Sequence, residues 1–134
     1  MLTTDVSWIG VILATVASVI IGGFWYAPKL FGSIWANAHN FDKDSLKPSP
    51  LNYGGAVLVA FVTTLILAMF IKYLPVTSIY DGAQVGFFAW LGFIATSQFS
   101  GVVWAKKPWL AYAIDVTCEL VILVVAGAIL AFFK

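Results

Sequence analysis

The chain has 134 residues, 62% hydrophobic and 10% charged, with a net charge of +1. A soluble domain carries roughly a quarter charged residues, so this composition points to a membrane protein, and four long apolar runs leave no length for a soluble domain. Arginine is absent, which removes the basic footprint of a nucleic-acid binder, and one cysteine with one histidine excludes an internal disulfide and a conventional zinc site.

The N-terminal run lacks the basic stretch and small-residue cleavage site of a leader, and is read as a retained helix. Thr3, Thr4 and Asp5 offer caps for a first span from about Val6 to Ala27, ended by Pro28. Gly10, Ala14, Ser18 and Gly22 recur every fourth residue and make a smooth stripe suited to close helix packing in lipid. From Lys29 to Asn40 the apolar residues Leu30, Phe31, Ile34, Trp35 and Ala38 share one helical face, the pattern of a short helix lying in the membrane interface. His39 near its end reads as a solvated residue, and Asn40 to Pro50 as a polar linker containing Asp42 and Asp44.

A second span is expected from about 51 to 71, with a second small stripe at Ala56, Ala60, Thr64 and Ala68. Only one stripe is needed inside a bundle, so the other is available to a second copy, with a symmetric dimer as the default homo-oligomer. Ser78 and Asp81 have capping-box spacing ahead of a third span, 82–104. Lys106, Lys107 and Pro108 link it tightly to a fourth, 108–133.

That fourth span carries two carboxylates, Asp115 and Glu119, four residues apart and so on one helical face. On insertion scales the pair costs at most roughly 5–7 kcal/mol, which the surrounding Leu, Ile, Val and Phe residues roughly cancel. The acidic face should turn from lipid toward protein or water. Depth matching across antiparallel spans gives Ser97, Gln98, Ser18 and Thr64 as pocket neighbours, with Trp25, Tyr26 and Tyr112 at the rim. No lysine is expected at their depth, so at least one acid should hold a proton near neutral pH. Intramembrane carboxylates often mark proton or cation pathways; they can equally hold a bundle together through Ser, Thr, Gln or Trp donors. No catalytic, cofactor or metal-binding constellation is visible, so an enzyme is not expected.

Five lysines (Lys29, Lys43, Lys47, Lys106 and Lys107) fall in the first and third loops, against Lys72 and Lys134 opposite. The bias predicts both loops in the cytoplasm and both termini outside. Trp25, Tyr26, Trp35, Tyr53, Trp104 and Trp109 would form one aromatic belt, and Trp8, Tyr73 and Tyr80 the other.

The segment around Trp25, Tyr26, Pro28, Phe31, Gly32 and Trp35 resembles the signature of small bacterial membrane proteins catalogued as domain of unknown function 1761. The resemblance implies a four-helix protein of the bacterial inner membrane and weights these six positions, but carries no activity. The expectation is therefore an all-α transmembrane four-helix bundle with an interfacial helix after the first span. Its partners would be the lipid bilayer and further copies of itself. Two functions stay open: a proton- or ion-coupled transporter or permeation protein, and a scaffold or accessory subunit.

Overall fold

The computed structural model describes residues 4–41 and 48–134. Among them all regular structure is helical. Helix α1 covers Trp8–Trp25, α2 Ser33–Ala38, α3 Pro50–Tyr73, α4 Ile79–Ala89, α5 Thr96–Trp104 and α6 Trp109–Phe132. A widened turn, Trp90–Ala95, joins α4 and α5 into one continuous rod. Four segments are long and apolar enough to cross a membrane: Trp8–Ala38, Pro50–Tyr73, Ile79–Trp104 and Trp109–Phe132. The molecule is an all-helical, multi-pass membrane protein. Of the expected features, the Thr3 cap and the linker charges Asp42, Lys43, Asp44 and Lys47 lie outside the described residues.

Each helix start has a local cause. Ser7 caps α1, its hydroxyl accepting from the Gly10 amide at 3.3 Å; the cap thus lies downstream of Thr3–Asp5. Ser49 precedes Pro50 and accepts from the Asn52 amide, so α3 opens on proline at a position where its missing donor is not needed. The Ser78–Asp81 capping box forms as its spacing predicts, and it starts the third span at Ile79, one turn earlier than Gly82.

Helix α6 is the hub, touching α1, α2, α3, α4 and α5, while α3 and α4 barely meet. The core joins Val11 and Ala14 of α1, Leu67, Ala68 and Ile71 of α3, and Leu123, Ala126 and Leu130 of α6. Thr15 and Thr64 hydrogen-bond across the α1–α3 seam at 2.8 Å, fully inside protein. Such a bond matters in lipid, where a polar side chain has no water to turn to. Both expected stripes are partly buried inside the bundle, with Gly10 lying against Leu130 and Phe133 at the end of α6. Gly10, Ala14 and Ser18 are buried, as are Thr64 and Ala68, whereas Gly22 is half-buried and Ala56 exposed. Neither stripe is left wholly free for a second copy.

The closest helix approach lies elsewhere, between α4 and α6. A Cβ at Gly82 would collide with the Gly127 carbonyl, and one at Gly86 with the Leu123 carbonyl. Gly82 and Gly86 form a small-xxx-small pair of the kind that lets backbones touch. At the same end of the bundle as the chain termini, Lys134 Nζ donates to the Leu74 and Val76 carbonyls, at 2.9 and 3.1 Å. Lys72 pairs with Asp5 at 2.8 Å and holds that carboxyl below its ordinary value. The stabilisation from this exposed pair is present above the ordinary aspartate range and lost as pH falls through the lowered value.

Gly86→Ala is expected to remove about 1–3 kcal/mol of stability, because the methyl meets backbone that cannot yield. Gly92→Ala, where a Cβ meets nothing within 4 Å, should leave the melting temperature unchanged or slightly higher. Thermal unfolding followed by tryptophan fluorescence in detergent checks both; equal melting temperatures would remove the α4–α6 crossing from the account.

Candidate functional site

Asp115 sits on α6 two turns after Pro108, with its side chain 15% exposed. Two donors reach it from different parts of the chain. The Tyr26 hydroxyl, at the end of α1, donates to Oδ1. Lys107 Nζ donates to Oδ2 at 2.6 Å and also to Gln98 Oε1 at 3.4 Å. The expectation that no lysine reaches the acids is therefore corrected. Lys107 belongs to the α5–α6 link, and its stem runs beside Gly101, where the absent side chain leaves room, the nearest stem carbon lying 3.8 Å from where a Cβ would be. A long aliphatic stem lets an ammonium reach well away from its own Cα, and here the reach is inward. The eight-residue interval from Lys107 to Asp115 across a helix start was the available clue.

The cover over this pair is built by the signature residues. The Trp25 indole donates to the Ile114 carbonyl at 3.0 Å, one residue from Asp115. Pro28 opens a wide turn with a break at Leu30, and the turn folds back tightly enough that a Cβ at Gly32 would overlap the Tyr26 carbonyl. Phe31 packs on Trp25 with ring centroids 4.9 Å apart, and Trp35 stands edge-on to Tyr26 at 6.1 Å. Each of the six positions thus either approaches α6 beside Asp115 or shapes the turn that allows it.

Glu119 lies one turn deeper on the same face and is half-buried. It makes no hydrogen bond or ion pair among the described residues. Tyr26 lies in the electric field of both acids. Lys107 can balance one carboxylate, not two. Buried Cys118 lies between them in the chain. Among the described residues no three His, Cys, Asp or Glu side chains gather to hold a metal.

The remaining expected neighbours divide. Gln98 joins the site through Lys107. Tyr112 donates to the Ala95 carbonyl at 3.0 Å and ties α6 to the end of the widened turn. Thr64 belongs instead to the α1–α3 seam, where it meets Thr15, and buried Ser18 donates within its own helix to the Ala14 carbonyl at 2.7 Å. Ser97 is corrected outright. It is exposed and its hydroxyl returns to the Phe93 carbonyl at 2.7 Å. The widened turn before it changes the helical phase, so a depth estimate on a straight helix gives the wrong face. Trp90 was not singled out by the sequence reading; its indole donates to the Val116 carbonyl at 2.7 Å, opposite Trp25 along the same stretch of α6.

The arrangement is a charge-paired node at the Pro108 end of α6 with an unmatched acid beneath it. Lys107→Met should cost about 3–5 kcal/mol, since it leaves Asp115 buried without its cation. Asp115→Asn in that background should restore part of the loss. The unfolding free energies of the two single variants and the double variant measure the coupling; purely additive values would remove the ion pair as a structural element.

Comparison with curated proteins and with solved structures returns no match to either. One family model matches residues 9–131, nearly the whole chain, including the six cover residues and both acids. The chain therefore belongs to the family described as Protein of unknown function (DUF1761).

Proposed function

We propose that this protein is a small proton- or cation-coupled transport protein of the bacterial inner membrane, non-enzymatic and acting as a homo-oligomer, with Glu119 as the group that gains and loses the ion. One observation carries the reading. Glu119 is an acid inside an apolar span with no hydrogen-bond partner among the described residues, while the adjacent cation is already committed to Asp115. An intramembrane ionisable group held by neither charge nor hydrogen bond is a proton or ion site by default. In this scheme Asp115, Tyr26 and Lys107 form the boundary between Glu119 and the aqueous side near Pro108. Release of a proton from Glu119 would leave two carboxylates facing one lysine, and that imbalance favours taking up a proton or a cation in return.

The homo-oligomeric part rests on α3. Its first ten residues, 50–59, are all exposed, with Leu51 83% and Val59 65% exposed beside Gly54 and Gly55. The lysine asymmetry of the loops supports termini outside and the Pro108 end in the cytoplasm. A reporter fused after Lys134 should be inactive in the cytoplasm; activity there alone reverses the orientation.

A second reading, a scaffold or accessory subunit, is favoured by the completeness of the Asp115 node, whose two oxygens each have a donor. Proteoliposomes loaded with a pH-sensitive dye separate the two. After an imposed pH step, with Na⁺ or K⁺ as the counter-cation, wild type should dissipate the gradient. Glu119→Gln should not, with an unchanged melting temperature. Wild-type vesicles no leakier than empty ones, or a Glu119→Gln variant that shifts stability and leaves flux intact, would favour the scaffold.

A further inference from the structure

We propose that the cavity between α2 and the α5–α6 link binds a phosphate group, carried either by an anionic phospholipid headgroup or by a soluble phosphate. The cavity has a volume of about 530 Å³ and is lined by Trp35, His39, Asn40, Lys106, Lys107 and Asp115, among others. It lies against the Asp115 node on the side away from Glu119's deeper turn.

The polar atoms around it are out of balance. Trp35 Nε1 is buried and makes no hydrogen bond among the described residues; the same is true of His39 Nε2. An indole N–H can only donate, so its missing partner must be an acceptor. Lys106 is exposed, and its ammonium has no hydrogen bond or ion pair among the described residues. The acid in the wall, Asp115, receives Tyr26 and Lys107, and neither the Trp35 N–H nor the Lys106 ammonium bonds to it. What remains unanswered is the buried N–H of Trp35 beside the uncommitted ammonium of Lys106. A buried donor without a partner is destabilising, and an occupant rich in acceptor oxygens would relieve it.

The walls fit such an occupant. Trp35, His39 and Phe41 pack together, Trp35 tilted against His39 with centroids 4.5 Å apart and His39 stacked nearly parallel on Phe41 at 4.8 Å. They hold the Trp35 ring at one side while the Lys106–Lys107 link forms the other. A phosphate bridging the two sides would take the Trp35 N–H and the Lys106 ammonium together. The site is flanked by exposed Trp104 and Trp109, residues of the kind that settle at headgroup level. Binding there does not require Glu119 to exchange a proton.

The test uses the whole chain in two arms: nanodiscs of phosphatidylcholine with and without phosphatidylglycerol, and detergent-solubilised protein titrated with inorganic phosphate. Native mass spectrometry and thermal unfolding report binding. At least one arm should show a retained adduct and a higher melting temperature. Lys106→Ala and Trp35→Phe should each weaken the response about tenfold, the size of one charge-assisted hydrogen bond. Lys72→Ala, at the other end of the bundle, should not. A response to phosphatidylglycerol alone assigns the headgroup, and a response to inorganic phosphate alone assigns a soluble ligand; both support the site. No response in either arm, or an equal response in wild type and both cavity variants, overturns it. Glu119→Gln should bind as wild type does, so failure of the transport reading and failure of this one are separable.

Discussion

A carboxylate carried into a membrane must be solvated by the protein itself, and the arrangement around α6 follows from that demand. Most of the Asp115 side chain is inside protein, and its two oxygens draw one donor from the end of α1 and one from the α5–α6 link. Those two attachments set where α1 ends and how the link turns. The Trp25 and Trp90 indoles then grip the α6 backbone at Ile114 and Val116 on either side of the acid. The charge, rather than the apolar surface, fixes register here, because sliding one apolar helix past another in lipid gains or loses little hydrophobic energy.

Apolar packing has its own anchor at the opposite half of α6. Gly82, Gly86 and Gly127 bring two backbones into contact where no side chain fits. Between the anchors the third span widens at Trp90–Ala95. That turn lets one continuous rod satisfy both anchors, close contact on α4 and the Ala95–Tyr112 bond at the other end. A widened turn inside a membrane helix persists when neighbours use the carbonyl groups it displaces, and Tyr112 does so.

Much of this was legible in the sequence. The four spans follow from hydropathy and length, the break after α1 from Pro28, and the start of α4 from the Ser78–Asp81 box. The shared face of Asp115 and Glu119 follows from their spacing. What escaped had physical causes. Lys107 was placed by its Cα, outside the apolar run, whereas its ammonium is placed by a flexible stem. The four-residue small stripes were too common to rank, since Ala and Ser keep a Cβ and only the glycines allow backbones to touch. The face of Ser97 depended on a change of helical phase that no hydropathy profile records. Ser7 competes in the sequence with Thr3, Thr4 and Asp5, which are equally good caps by residue type.

The position of the hub within the chain bears on the order of assembly. A ribosome delivers α1, α3 and α4 to the membrane before α6, yet α1 and α4 bury their faces chiefly against α6. The Tyr26 hydroxyl and Trp25 indole wait for partners 89 residues downstream. Until then α1 and α3 are held by their threonine bridge, the Lys72–Asp5 pair and apolar packing. The nascent bundle is thus an open half-shell, and the entry of the one acidic helix converts it in a single late step into a closed structure.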